Sequence, residues 1–244
     1  MFAFQDRRGA VEVAFTDRHG AIGGGRSGSL DLAESDGDGG VTEENIRRVT
    51  GTLAGTSPGT HPIVARMHQV HGAQVEVTGG SDLRMPIPEC DGLVTGEAGV
   101  MLMVRVADCA PVLLADVEQG VIGAAHAGRH GMVAGIVPAT VKRMRELGAR
   151  QIVGWVGPRV CGGCYEVPDS MRKEVAAAVP QAYSETTWGT PGLDIGAGIR
   201  AQLEADDVET IDVPRCTIED EDLFSFRREG PASGRLAGLV WVQP

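Results

Sequence analysis

No hydrophobic run in the 244-residue sequence approaches the roughly 18 residues of a membrane span, and no secretory apolar region opens it. A Ser/Pro-rich linker is also missing, and apolar segments continue to Trp241, so one domain over residues 1–244 is expected. Positive charge is scarce. The 22 Lys and Arg against 33 Asp and Glu leave a net charge of −11, which argues against a nucleic-acid binder with its positive face. A few arginines gathered around a small anion remain compatible with that balance. The five cysteines are an odd number, which speaks against a disulfide framework and for free thiols in a reducing compartment. A cytoplasmic protein is the expectation, and no internal repeat is visible.

The 35 glycines instead announce many tight turns and few long helices. The most informative stretch runs from Val104 to Gly131. Two apolar runs, Val112–Ala115 and Val121–Ala125, flank a polar segment and read as buried strands joined by a turn. Cys109 stands just before the first and His126 at the end of the second, so a hairpin would bring them together. Upstream, His68-Gln-Val-His71-Gly closes the apolar run Ile63–Met67. If that segment stays extended, Gln69 and His71 share a face and His68 points away, which favours His71 as a ligand. Two imidazoles and a thiolate at strand ends suit a zinc site with an open fourth position. The alternative is a buried cysteine beside a hydrogen-bonded histidine.

Further strands are expected at Val11–Phe15, Ser29–Leu32, Val75–Val77, Asp91–Thr95, Met101–Val106, Ile152–Val156, Val208–Val213 and Leu239–Val242. Helices are expected from an N-cap at Thr42 to about Leu53, over Met132–Leu147, over Asp169–Val179 and through Ile199–Glu204. The glycine-rich segment 20–28 either cradles an anion or forms a surface loop, and the acidic run Glu34–Gly40 reads as a solvated connection. Together these predict an α+β fold with mixed sheets. Cys161-Gly-Gly-Cys164 is a CxxC with neither a helix start nor a second CxxC beside it. Cys90 and Cys216 look isolated and buried. Near the carboxy terminus, Phe224-Ser225-Phe226-Arg227-Arg228 and Gly234-Arg235 suit a phosphate or carboxylate, because guanidinium forks bind such anions bidentately. Salt bridging in an acidic protein is the competing reading.

Motifs over nearly the whole chain resemble the YfiH/YlmD family. They include Gln69-Val70-His71-Gly72, Asp91-Gly92-Leu93-Val94-Thr95, Ala107-Asp108-Cys109-Ala110-Pro111-Val112, Ala124-Ala125-His126-Ala127-Gly128, Cys164-Tyr165-Glu166-Val167, Leu193-Asp194-Ile195, Cys216-Thr217 and the Phe224–Arg228 run. That family, long labelled laccase-like, is understood as purine nucleoside phosphorylases with an adenosine deaminase side activity. The resemblance implies an α/β fold, a layered α-β-β-α sandwich with mixed sheets, related to the catalytic domain of cytotoxic necrotizing factor. It implies Zn2+ held by His71, Cys109 and His126, and substrate or phosphate contacts from Arg18, Ser225, Arg227, Arg228 and Arg235. Asp108 and Gln69 are the candidates for orienting groups. The family's usual His-Ala-Gly-Trp-Arg-Gly reads His126-Ala-Gly-Arg129-His130-Gly131 in this chain.

The implied function is zinc-dependent phosphorolysis of purine nucleosides such as adenosine, inosine or methylthioadenosine, with adenosine deamination beside it. The partners would be a nucleoside and phosphate, with no nucleic acid and no membrane, acting on a monomer or small homo-oligomer. Copper, suggested by the old label, is disfavoured, since a multicopper oxidase relies on paired His-x-His ligands and the six histidines contain no such pair. Two alternatives remain. One is a thiol hydrolase with Cys109 as nucleophile and His126 as base, amidase-like and acting on peptides or cell-wall precursors. The other is a non-catalytic metal-binding protein.

Overall fold

A computed structural model of the chain describes residues 1–21, 29–33, 40–55, 62–79 and 86–244. Most of the glycine-rich segment 20–28, most of the acidic run 34–40 and His61 lie outside the described residues. In chain order the strands are Phe2–Arg8 (β1), Val11–Thr16 (β2), Ile63–Ala65 (β3), Val75–Val77 (β4), Gly92–Thr95 (β5), Val100–Val106 (β6), Ala110–Asp116 (β7), Val121–Ala127 (β8), Val153–Val156 (β9), Tyr183–Glu185 (β10), Pro191–Leu193 (β11), Glu209–Asp212 (β12) and Leu236–Val242 (β13). The helices are Val41–Ala54 (α1), Arg129–Ala134 (α2), Ile136–Glu146 (α3), Asp169–Ala178 (α4), Ile195–Ala205 (α5) and Phe226–Glu229 (α6).

Two mixed sheets carry the architecture. One has the order β1-β2-β13-β6-β3 and the other β12-β9-β7-β8-β5-β4. In each, parallel pairs (β3 with β6, β4 with β5, β12 with β9) sit among antiparallel ones. The two-residue period of a strand sorts the side chains into layers. From β6, Leu102 and Val104 meet Leu113, Ile122, Phe15 and Trp155 between the sheets, whereas Met101 and Met103 turn outward to Ile46, Val49 and Leu53 of α1. From β7, Val112 and Leu114 face outward onto Met132, Ile136, Val141 and Ile199 of α2, α3 and α5. The layers are therefore helix, sheet, sheet, helices. Each fully buried side chain of this size contributes about 1.5–3 kcal/mol, which makes the inter-sheet layer a large part of the stability.

Several boundaries differ from expectation. The single helix expected over 132–147 is two, because Gly135 adopts a left-handed φ of 83° and caps α2 with its N–H on Gly131 and Met132 carbonyls. Helix α1 starts one residue before Thr42, with Gly40 rather than Thr42 at its N-cap. Helix α5 begins at Ile195, earlier than expected, where the Asp194 carboxylate accepts the Ala197 N–H at 2.8 Å. Residues 29–32 form no strand. Strand β1 was not expected at all. It is an edge strand with Asp6, Arg7 and Arg8 at its end, so it lacks a clean apolar alternation.

Candidate metal centre and active-site cleft

The β7–β8 pairing sets Ala110 opposite Ala127 and Pro111 opposite His126, which carries Cys109 to the end of β8. His71 arrives from the turn that follows β3. What holds that turn is Asp91, fully buried at the entrance to β5. Its carboxylate accepts the backbone N–H groups of Val70 at 3.2 Å, His71 at 3.0 Å and Gly72 at 2.7 Å. It also binds His126 Nδ1 at 2.8 Å. His71 sits at φ 61°, a left-handed conformation that costs a non-glycine residue about 1–2 kcal/mol. Three charge-assisted hydrogen bonds to one carboxylate offset that cost.

With Nδ1 engaged by Asp91, His126 turns its other ring nitrogen toward Cys109. The Cys109 Sγ lies 3.9 Å from His71 Nε2, and the two rings stand edge to face with centroids 4.7 Å apart. One ligand atom from each of His71, Cys109 and His126 lies within 4.8 Å of the others. Burial by itself would push the Cys109 thiol up, but hydrogen bonds from His126 and His71 outweigh it and hold the group at about 6. Burial opposes charge on His126 as well, and Asp91 and Cys109 overcome it, raising the imidazole to about 9. Asp91 is held below its ordinary value, burial being outweighed by the bond from His126 and the turn's N–H groups. The cluster thus pairs a Cys109 thiolate with an imidazolium on His126. A metal cation would take the place of the imidazolium proton.

The surroundings fit such an ion. A Cβ at Gly128 would lie 2.6 Å from Cys109 Sγ and 3.3 Å from His71 Cδ2, so any larger residue would intrude between the ligands. These three side chains open onto a cleft of about 530 Å³. Arg105, Arg129, Arg227 and Arg235 line it, together with Tyr165 and Phe226. This is the size of a site for a small organic molecule, with both cationic and aromatic groups in its lining.

The other expected site residues divide into two sets. Arg227 lines the cleft, stacked over Tyr165 at 4.8 Å with Nη1 donating to Glu166 O at 2.9 Å. Arg235 also lines it, tethered to the carbonyls of Ser233 and Gly234. Asp108 borders the cleft, but its two oxygens accept Thr217 Oγ1 at 2.6 Å and Arg227 N at 2.7 Å. Gln69 borders it too, while its amide pairs with both backbone groups of Arg105. Arg18, Ser225 and Arg228 do not line the cleft. Arg18 pairs with Glu229 and lies over Phe224. Ser225 is buried and caps α6 by accepting Arg228 N. Arg228 clamps the carbonyls of Thr217, Ile218, Asp220 and Leu223. Adjacent arginines on a one-turn helix point to different places, and sequence spacing could not assign them.

Sequence reasoning missed Asp91 as a positioning group and Arg105 as a cleft residue. A lone arginine inside the apolar run 100–106 was the available signal for the second.

Residues 12–243 match the family model described as multi-copper polyphenol oxidoreductase laccase. The chain is 48% identical to a purine nucleoside phosphorylase of Streptomyces coelicolor, over 99% of this chain and 100% of that one. It is 42% identical to a purine nucleoside phosphorylase of Corynebacterium glutamicum, covering 99% and 98% of the two chains. Among solved structures it is similar to YlmD from Geobacillus stearothermophilus, with a TM-score of 0.82 at 28% identity over 100% of this chain and 99% of that one. A Neisseria meningitidis protein of family-model DUF152 superposes with a TM-score of 0.83 at 26% identity, covering 100% and 99% of the two chains.

Proposed function

The chain belongs to the multi-copper polyphenol oxidoreductase laccase family, and from that premise we propose that it is a zinc-dependent purine nucleoside phosphorylase, active on nucleosides such as inosine and adenosine, with adenosine deamination as a second activity. The names of its relatives support the reaction class. The observation that carries the reading is the meeting, in one cleft, of the His71–Cys109–His126 cluster and a wall of arginines in a chain of net charge −11. In phosphorolysis a phosphate oxygen bonds to C1′ as the C1′–N bond breaks, and the electron pair passes to the purine, which takes up a proton.

Arg227 and Arg235 hold the phosphate in this reading, their planar forks matching its oxygens. Tyr165 and Phe226 give the purine or ribose an apolar wall. Asp108 positions rather than reacts, since Thr217 and the Arg227 backbone occupy its oxygens. Gln69 likewise fixes the His71 turn to β6. Asp91 keeps His126 in the tautomer that leaves Nε2 as a donor atom for metal. Zinc bound there supplies a Lewis acid and lowers the pKa of a bound water.

The ligand set of two imidazoles and a thiolate also occurs in electron-transfer copper sites, which add a weak axial methionine. Among the described residues, no methionine lines the cleft. An open fourth position on a substrate-sized cleft favours zinc and catalysis.

A second reading has a specific observation behind it. Cys109, His126 and Asp91 stand in the order of nucleophile, base and orienting acid, with the thiol held at about 6. One experiment separates the two. Inosine cleavage is assayed with and without phosphate, before and after chelation, while Cys109 alkylation by iodoacetamide is followed by mass spectrometry. A phosphorylase with a metal-held Cys109 needs phosphate, loses turnover on chelation, regains it with zinc, and alkylates only after chelation. Rapid alkylation with chelator-resistant turnover would establish the thiol hydrolase instead.

A further inference from the structure

The Cys161–Cys164 pair, which looks incomplete in the sequence, is completed by the fold. Cys216 and Glu219 come to it from the loop between β12 and α6, and one ligand atom from each of the four residues lies within 4.8 Å of the rest. Each segment curls in a single turn: Cys164 N–H donates to Cys161 O at 3.0 Å, and Asp220 N–H to Cys216 O at 2.9 Å. Those turns put residues three apart, 161 with 164 and 216 with 219, on one side. A backbone bridge joins the two, with Arg159 N–H on Arg215 O at 3.1 Å and Thr217 N–H on Arg159 O at 3.0 Å. The Cys161 N–H points at Cys216 Sγ, 3.4 Å away, which orients that sulfur. All three cysteines are free thiols, and Cys164 and Cys216 are buried.

We propose that Cys161, Cys164, Cys216 and Glu219 bind a second zinc ion, structural rather than catalytic and separate from the His71–Cys109–His126 centre. Three thiolates and a carboxylate are a soft donor set that selects zinc over magnesium or calcium. Zinc–sulfur bonds of about 2.3 Å in a tetrahedron place sulfurs roughly 3.8 Å apart, so the four atoms need only a small contraction to close around the ion. Four protein donors leave no open position, and none of the four residues lines the catalytic cleft. The ion would staple segment 160–166 to segment 215–220. The first carries Val160 and Tyr165 of the cleft wall. The second carries Thr217, which holds Asp108, and the carbonyls that hold Arg228. The second zinc therefore sits behind the part of the cleft wall that carries Val160, Tyr165 and Asp108 and fixes it.

The test is metal analysis of the purified full-length chain. Wild type is expected to carry about two zinc ions, and a His71→Ala/Cys109→Ala variant and a Cys216→Ser variant about one each. Wild type with one zinc, lost entirely in the His71→Ala/Cys109→Ala variant, would overturn the proposal. In case Cys216→Ser fails to fold, two further measurements decide. Cobalt bound to the folded His71→Ala/Cys109→Ala variant is expected to show sulfur-to-cobalt charge-transfer absorption. In the wild type, Cys161 is expected to resist iodoacetamide until a chelator is added, and the exposed Glu219→Gln change to speed zinc loss. Absence of that absorption, equal alkylation with and without chelator, or a disulfide within the cluster would each reject the site.

Discussion

At the turn end of the β7–β8 hairpin, Asp116 is 1% exposed and accepts the backbone N–H groups of Glu118, Gln119, Arg150 and Gln151 at 2.6–3.0 Å. At the open end, Asp91 is 0% exposed and accepts three backbone N–H groups and a ring nitrogen. Both carboxylates are held below their ordinary pKa, in each case against the opposing effect of burial. The device is the same and the partners differ. Asp116 binds backbone alone, and its end of the hairpin is closed. Asp91 accepts one bond from His126, and through it orders a thiolate and an imidazole that face a cleft. One buried carboxylate can brace a turn, or it can aim a ligand, depending on whether a side chain is among its partners.

Substitutions at the two ends should therefore separate activity from stability. Cys109→Ala is expected to remove the cleft zinc and lower inosine phosphorolysis at least about a thousandfold, since several kcal/mol of charge stabilisation leave with the metal. Its circular dichroism should stay that of the wild type. Comparable loss of activity and fold would erase the contrast. Asp116→Ala should do the reverse, costing about 3 kcal/mol in urea unfolding by orphaning buried N–H groups, with turnover per folded molecule kept. Asp91→Asn lies between them. We expect zinc to bind about 10–100-fold more weakly, as for other groups that orient a metal-bound histidine, and activity to return at high zinc. Activity that no zinc concentration restores would make Asp91 more than a positioning residue.

A smaller effect should distinguish the neighbouring arginines. Losing a charge-assisted bond of about 1.5 kcal/mol, Arg227→Ala should raise KM for phosphate about tenfold and leave KM for the nucleoside close to its original value. Arg228→Ala should lower stability and leave the ratio of the two KM values alone, since that guanidinium is spent on carbonyls. The smallest expected effect is in acid. A carboxylate with a depressed folded pKa contributes stability that is present above its unfolded value, near 3.9, and lost as pH falls through the folded value. Wild type should lose stability as pH falls below about 4, and Asp116→Asn should show a shallower decline over that range. An unchanged slope would mean that Asp116 is not ionised in the folded chain.

Most strands and helices were legible in the sequence, whereas the layering was what the family resemblance implied. Continuous apolar runs identified the strands within Val104–Gly131, because those strands are buried on both faces. The half-exposed edge strand β1 and the three-residue β10 and β11 escaped, since neither burial nor length gave them a pattern. The meeting of His71, Cys109 and His126 was legible for a local reason. Cys109 and His126 are joined by a short hairpin whose register follows from its two apolar runs, and His71 closes another apolar run.

What lay beyond the sequence was most of the contacts between segments distant along the chain. Composition determined an acidic chain with free thiols, and periodicity determined mixed sheets with a cysteine and histidines at strand ends. Only the tertiary structure decided that Asp91 grips both the His71 turn and His126. It alone sent Arg227 into the cleft and Arg228 into a nest of carbonyls, and brought Cys216 and Glu219 to a CxxC that looked solitary. The physical reason is the range of the forces that report on each. Periodicity records which face of a local element is buried, whereas hydrogen bonds and metal ligands depend on placing two segments within a few ångströms, which packing of the whole chain settles.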